Sequence, residues 1–88
     1  MKIIKISALW CPGCLVMNGV CKRICDENGY ELLELDYDFD EEIVKKYNVG
    51  NILPVLIFEK NNNEILRIIG EKSYDYVKEQ INNITEEK

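Results

Sequence analysis

The sequence predicts an α/β domain in which a mixed four-stranded sheet is flanked by three helices, in the order βαβαββα. Three observations support this prediction: β-rich runs alternate with helical patterns in the first half, two strands joined by an asparagine turn follow, and an amphipathic helix comes last. With 88 residues, 47% of them hydrophobic, the chain is expected to form one domain over residues 1–88 around one core.

The first strand and the first helix are separated by a short turn. Residues 2–7 (KIIKIS) are rich in β-branched side chains and predict a strand. After Cys14, apolar residues recur at helical spacing, which predicts an amphipathic helix that ends at Asn28 and Gly29. The inward stripe of that helix consists of Met17, Val20, Cys21, Ile24 and Cys25.

A second strand and a short helix come next. Residues 30–36 (YELLELD) predict the strand, and residues 40–48 predict a helix that Asp38 or Asp40 can cap. The inward side chains of this helix are expected to be Ile43, Val44 and Tyr47.

The last part of the chain predicts a hairpin and a helix. Residues 54–58 (PVLIF) form a continuous apolar strand, residues 61–63 (NNN) form a turn, and residues 64–69 return as the partner strand. Gly70 ends this strand. Ser73 can cap the last helix, which precedes a charged, frayed end. Its apolar stripe is Tyr74, Val77, Ile81 and Ile84.

The charge and the hydropathy pattern exclude two classes of partner. Sixteen Asp and Glu against eleven Lys and Arg give a net charge of -5, and this acidic surface repels nucleic-acid phosphates. No apolar run is long enough to span a bilayer, and the apolar N-terminal stretch is too short for a signal peptide. We therefore expect a cytoplasmic protein without nucleic-acid or membrane partners. A monomer is expected as well, although no sequence pattern encodes the oligomeric state.

The segment Trp10-Cys11-Pro12-Gly13-Cys14 carries the predicted chemistry. A strand, a CxxC and a helix in this order place Cys11 beside the first free N–H groups of the helix and Cys14 one turn inside it. Those amides and the helix dipole favour a thiolate at Cys11, which makes it the attacking sulfur. Pro12 suits a first helical turn, and Gly13 lets a partner chain approach closely. Trp10 is a core aromatic or part of a substrate platform, and its position beside Cys11 favours the platform.

The remaining cysteines and aspartates predict no second site. Cys21 and Cys25 lie on the inward helical stripe and read as core residues, with a second redox pair as the minor alternative, because their spacing suits a disulfide poorly. Asp36, Asp38 and Asp40 alternate as in a calcium loop. However, that loop's required Gly and Glu are absent from its sixth and twelfth positions, so no metal site is expected.

Three segments together resemble the thioredoxin and glutaredoxin superfamily over nearly the whole chain: WCPGC after the first strand, Leu53-Pro54-Val55 before the third, and Ile69-Gly70 after the fourth. The resemblance implies the minimal thioredoxin fold. It also implies that Pro54 is a cis-proline packed against the cysteines, that the Leu53 backbone holds an extended substrate, and that Gly70 leaves room for that substrate.

The resemblance further implies a thiol–disulfide oxidoreductase that acts on disulfide-containing proteins. Such a protein would need no cofactor beyond its own redox-active Cys11–Cys14 disulfide. An upstream reductase such as thioredoxin reductase would reduce that disulfide again. The absence of histidine argues against an oxidase that relies on a histidine between the cysteines, and the weak echo of a glutathione-binding signature in Gly70-Glu71 makes glutathione a doubtful reductant.

One departure from the family lies on the first strand. Where thioredoxins carry a buried Asp six residues before the nucleophile, this sequence has Lys5. Lys5 either points under the motif, where its charge would favour the Cys11 thiolate, or extends to the edge of the sheet.

A binding protein is the alternative class. Copper(I) chaperones also hold their metal between the thiolates of a CxxC that follows a first strand. Their strands and helices follow the order βαββαβ, which would require a hairpin where residues 40–48 predict a helix. A proline at the position of Pro54 has no role in such proteins.

Overall fold

The computed structural model describes residues 1–85, and in this range four strands and three helices follow the order βαβαββα. The strands are β1 (Lys2–Ser7), β2 (Glu31–Asp36), β3 (Val55–Lys60) and β4 (Asn63–Ile69), and the helices are α1 (Pro12–Asn28), α2 (Glu41–Lys46) and α3 (Tyr74–Thr85). The predicted fold class is confirmed. The charged end predicted after α3, residues 86–88, lies outside the described residues.

The four strands form one mixed sheet in the order β2-β1-β3-β4. β1 runs parallel to β2 and antiparallel to β3, and β3 pairs with β4 as a hairpin. The hairpin turns at Asn61 and Asn62, whose φ angles of 57° and 66° lie in the left-handed region that asparagine tolerates. β1 is therefore an interior strand, and the turn that follows it opens at the middle of the sheet.

Side chains alternate between the two faces of β1, and each face is covered by helices. Ile3 packs in a cluster with Met17 of α1 and Val77 of α3, whereas Ile4 packs in a second cluster with Val44 of α2. Ile3, Ile4, Met17 and Val77 are fully buried, and Val44 is nearly so. Burial of one such side chain stabilises the fold by roughly 1.5–3 kcal/mol. The sheet is thus fixed between α1 and α3 on one side and α2 on the other.

The ends of the long helices follow the sequence. Gly29 ends α1 with a φ of 69°, and its N–H donates to the carbonyl of Cys25. The N–H of Tyr76 donates to the hydroxyl of Ser73 at 3.1 Å, as the predicted cap requires.

The short helix α2 differs from its prediction. It spans Glu41–Lys46 instead of 40–48, and Asn48 beyond it takes a left-handed φ of 55° that ends helical geometry. Asp40 stands at the N-cap, but its carboxylate accepts the N–H of Asp36 at 2.7 Å and does not cap the helix. Ile43, expected to point inward, is largely exposed, because a helix of this length turns only one side chain, Val44, fully into the core.

Candidate active site

Cys11 occupies the position immediately before α1. Its backbone is extended, with φ −102° and ψ 108°, and its N–H donates to the carbonyl of Ala8 at 3.2 Å. Pro12 is the first residue of the helix, where its missing N–H costs nothing. The N–H of Cys14 donates to the Cys11 carbonyl at 3.2 Å. A tight turn after β1 therefore places the Cys11 side chain at the N terminus of α1.

Cys11 and Cys14 are free thiols that pack against each other. Cys11 is 8% exposed and Cys14 only 2%, so Cys11 is the more accessible of two enclosed sulfurs. Burial and, next, the hydrogen bond with Cys11 raise the pKa of the Cys14 thiol to about 11, against the opposing effects of a backbone hydrogen bond at Ala8 and the charge of Lys5. Cys14 is therefore protonated at neutral pH.

The loop before β3 closes over the first thiol. The Cys11 Sγ donates to the carbonyl oxygen of Leu53 at 3.7 Å, and the Leu53–Pro54 peptide bond is cis. The carbonyl of Pro54 in turn accepts the N–H of Gly70 at 2.8 Å. The cysteine pair, the Leu53–Pro54 bond and Gly70 are thus linked directly, although they come from three separate parts of the chain.

Two glycines lie beside the thiols, in different surroundings. A Cβ on Gly13 would lie 3.1 Å from the Oε1 of Glu71, so the Glu71 carboxylate stands over the first turn of α1. Gly70 has a φ of 91°, which side chains rarely adopt, and a Cβ there would lie 3.7 Å from the Cγ2 of Ile52. The Glu71 side chain therefore fills the space above Gly13, where a close approach of a partner chain was expected, whereas a Cβ at Gly70 would make only an ordinary contact.

Trp10 lies on the rim of this surface and not in the core. Its side chain is 59% exposed, and its Nε1–H donates to the Oδ2 of Asp38 at 2.8 Å. The indole ring also meets the Tyr37 ring edge-on, with the ring centroids 6.3 Å apart. Leu9 and Ile52 are exposed as well, so apolar side chains border the thiol pair. These contacts hold Trp10 at the surface beside the thiol pair.

Lys5 is buried between α1 and the edge strand β2. It is 2% exposed, and its ammonium donates to the Oδ1 of Asn18 on α1 and pairs with the Oε1 of Glu34 on β2 at 2.6 Å. Lys5 therefore combines the two alternatives that the sequence left: it lies beneath α1, but its ammonium meets exposed side chains on α1 and on the edge strand β2.

Cys21 and Cys25 are buried in the cluster beneath α1. Burial, then the neighbouring Cys25, raises the pKa of the Cys21 thiol to about 12, and burial likewise raises the pKa of Cys25. Both thiols stay protonated and enclosed at neutral pH, as expected of core residues.

The acidic residues after β2 satisfy backbone groups. Asp36 Oδ1 accepts the N–H groups of Asp38 and Phe39 at 2.9 and 3.0 Å. Within residues 1–85, no group of three or more His, Cys, Asp or Glu side chains is arranged to hold a metal ion. In the same range, no helix is both long and apolar enough to cross a membrane.

Four polar residues that contact Lys5, Trp10 or Gly13 were not predicted as site residues: Asn18, Glu34, Asp38 and Glu71. Their contacts come from segments distant in the sequence, so no local pattern marks them. Lys5 gave a usable signal for two of them, because a charged side chain within an apolar strand needs polar partners.

Comparison with known proteins agrees with this geometry. A family model described as Thioredoxin matches residues 1–83. The thioredoxin of Chlamydia pneumoniae is 25% identical over 81 residues, which cover 91% of this chain and 78% of that protein.

Solved thioredoxin structures have the same fold. The thioredoxin of Fasciola hepatica superposes with a TM-score of 0.81 at 25% identity and covers 93% of this chain and 78% of its own. A mutant thioredoxin from Halobacterium salinarum superposes with a TM-score of 0.84 at 18% identity, over 93% of this chain and 72% of its own.

The fold and its adjacent thiols define a protein of the thiol–disulfide oxidoreductase class. Since the family model covers nearly all of the sequence, the chain belongs to the thioredoxin family.

Proposed function

We propose that this protein reduces disulfides in other proteins by dithiol–disulfide exchange at Cys11 and Cys14. The observation that carries the proposal is the pair of adjacent free thiols at the start of α1, the more exposed of which faces the carbonyl of Leu53 at 3.7 Å. One thiol can therefore meet a substrate while the other waits beside it.

The exchange proceeds in two balanced steps. The Cys11 thiolate attacks one sulfur of the substrate disulfide, a Cys11–substrate disulfide forms, and the other substrate sulfur leaves with the electron pair as a thiolate. Cys14 then loses its proton to water and attacks Cys11, and the remaining substrate sulfur leaves as a thiolate. The substrate is reduced by two electrons, and the protein is left with a Cys11–Cys14 disulfide.

The surface around the thiols suits an extended substrate segment. Gly70 adds no side chain to it, the Leu53–Pro54 backbone runs along it, and Trp10 offers an apolar platform. A substrate that reaches Gly13 displaces the Glu71 side chain. In our proposal the protein works as a monomer in the cytoplasm, needs no cofactor beyond its own disulfide, and receives electrons from an upstream reductase such as thioredoxin reductase.

Insulin reduction with dithiothreitol as the electron source tests the proposal. The wild type should accelerate insulin precipitation over dithiothreitol alone, and Cys11→Ser should abolish the acceleration. Cys14→Ser should accumulate mixed disulfides, which mass spectrometry detects. Cys25→Ser changes a buried thiol outside the site and is the matched control, which should retain activity. Activity of Cys11→Ser at the wild-type level would contradict the assignment.

The copper(I) alternative is tested in parallel. The observed order has the helix Glu41–Lys46 where the βαββαβ order of copper(I) chaperones would have a hairpin, so exchange chemistry is the function we propose. Tight, stoichiometric copper(I) binding by the reduced protein without insulin reduction would favour the chaperone instead.

A further inference from the structure

Lys5 is a buried charge that the exchange mechanism above does not use. Side chains alternate along β1, so Lys5 shares the face of Ile3, which packs beneath α1. Its neighbour on β3 is the apolar Leu56. An ammonium in such a place destabilises the fold unless polar groups compensate it.

Two side chains compensate Lys5 and fix its ammonium in place. Asn18 on α1 accepts a hydrogen bond from it, and Glu34, directly opposite on β2, forms an ion pair at 2.6 Å. The side chain of Glu34 is 62% exposed, whereas that of Lys5 is almost fully buried. Water therefore screens the carboxylate more than the ammonium, and the net field directed at α1 is positive.

The ammonium is bonded to a residue of α1 that lies one turn beyond Cys14. Asn18, its partner, comes four residues after Cys14 and three before Cys21, so all three lie on one side of the helix. The charge of Lys5 opposes the effect of burial at each of the thiols, lowering the pKa of Cys14, Cys21 and Cys25. Of these, only Cys14 touches Cys11.

We propose that Lys5 is a positioning residue for the second exchange step, in which its ammonium, held by Asn18 and Glu34, stabilises the attacking Cys14 thiolate. The inference rests on the proposed function. In that step the S–S bond between Cys11 and Cys14 forms, the bond between Cys11 and the substrate breaks, and the substrate sulfur leaves with the electron pair. The Cys14 proton goes to water.

The other charged and titratable groups around Lys5 lie on its outer side. Lys5 and Glu34 line an open pocket of about 450 Å³, and Lys22, Asp26 and Tyr30 line it with them. The exposed Lys22 and Asp26 carry opposite charges and are open to solvent, so they alter the field at Cys14 much less than Lys5 does.

Stopped-flow reaction with dithionitrobenzoate separates the two steps. This aromatic disulfide releases one coloured thiolate when Cys11 attacks it and a second when Cys14 resolves the mixed disulfide. The rate of the second phase, measured as a function of pH, reports the fraction of Cys14 that is ionised. The variants are Lys5→Met, Lys5→Arg and Glu34→Gln, with Lys22→Met as the matched control at an exposed lysine of the same pocket.

Lys5→Met should slow the second phase and shift its pH profile to higher pH. Each unit of increase in the pKa of Cys14 lowers the thiolate fraction about tenfold, but the more basic thiolate is more nucleophilic, so the net slowing is about threefold per unit. Lys5→Arg should restore the wild-type profile, and Lys22→Met should leave it unchanged. Glu34→Gln should shift the profile to lower pH and accelerate the second phase, because it removes the anion that partly neutralises Lys5.

The opposite directions of Lys5→Met and Glu34→Gln separate an electrostatic effect from a structural one. If both variants slow the second phase, or if Lys5→Met matches the wild type, the proposal is overturned. Glu34→Gln alters an exposed side chain and decides the question even if Lys5→Met fails to fold. A wild type without a first phase would overturn the exchange function, whereas a normal first phase with unchanged Lys5→Met kinetics overturns the role of Lys5 alone.

Discussion

The buried thiol of Cys21 predicts that the fold loses stability in alkaline solution. Burial, more than the neighbouring Cys25, raises its pKa from an ordinary 9.0 to about 12 in the folded protein. Between these pH values the unfolded chain carries a Cys21 thiolate while the folded protein retains the proton. The folded state therefore binds more protons, and the free energy of unfolding falls as the pH rises.

The size of the loss follows from the two pKa values. One unit of pH in this range costs about 1.4 kcal/mol per thiol, so at about pH 11, two units above the unfolded pKa, Cys21 alone removes about 3 kcal/mol. A domain of this length has a total stability of roughly 4–13 kcal/mol, so the loss is a large share of it. Below about pH 8 the unfolded thiol is also protonated, and Cys21 then causes no loss.

Replacement of Cys21 by alanine isolates this effect. Cys21→Ala loses packing, which costs about 1 kcal/mol at about pH 8, but it has no thiol to ionise. Its stability curve should therefore cross that of the wild type near pH ~10, and the variant should be the more stable by about 2 kcal/mol at about pH 11.

Urea unfolding followed by far-ultraviolet circular dichroism measures both curves, with a phosphine reductant to keep the thiols reduced. Ile24→Val is the matched control, because Ile24 is buried in the same cluster on the same helix and does not titrate. Its curve should stay parallel to that of the wild type, about 1 kcal/mol below it. A constant difference between Cys21→Ala and the wild type across the range would refute the reasoning.

Three further predictions follow from burial and helix capping. In the native protein at neutral pH, iodoacetamide should label Cys11 before Cys14, because Cys14 is buried and its pKa is raised to about 11; peptide mapping by mass spectrometry checks this order, and faster labelling of Cys14 would contradict it. Phe58→Ala should lower the free energy of unfolding by about 3–5 kcal/mol in urea, because Phe58 is fully buried, whereas Phe39→Ala at an exposed position should change it by less than about 0.5 kcal/mol. Ser73→Ala should cost about 1 kcal/mol through loss of the hydrogen bond to Tyr76, and Ser73→Thr, which keeps a hydroxyl, should recover most of it in the same assay.

The order of strands and helices was predictable because each element carries its own periodic signal. The apolar run before Glu59, the asparagine turn and the stripe of α3 are local patterns, and the structure places elements on each of them. The end of α2 was less predictable, because the residues after Lys46 fit a helix as well as Lys45 and Lys46 do. The left-handed backbone of Asn48 depends on the path to β3, which no local pattern gives.

The candidate site divides in the same way. The position of Cys11 follows from a strand, a CxxC and a helix in sequence, so local reasoning places it at the helix N terminus. The approach of Glu71 to Gly13 joins segments almost sixty residues apart and has no local signal. Lys5 lies between these cases: alternation along β1 fixes its face, but only the register with β2 brings Glu34 opposite it.

The two thiols of the site lie together at the start of α1, and their closeness outweighs the high pKa of the second. At neutral pH a thiol with a pKa of about 11 is ionised to roughly one part in ten thousand. A well-oriented neighbour, however, acts with an effective molarity of about 10⁵–10⁸ M, which exceeds that deficit. Cys21 has a comparable pKa but lies almost two turns beyond Cys14, where it gains no such advantage at Cys11. Position along α1 is therefore what separates a resolving thiol from a structural one, and any charge that raises the small ionised fraction of Cys14 acts directly on the rate of the second step.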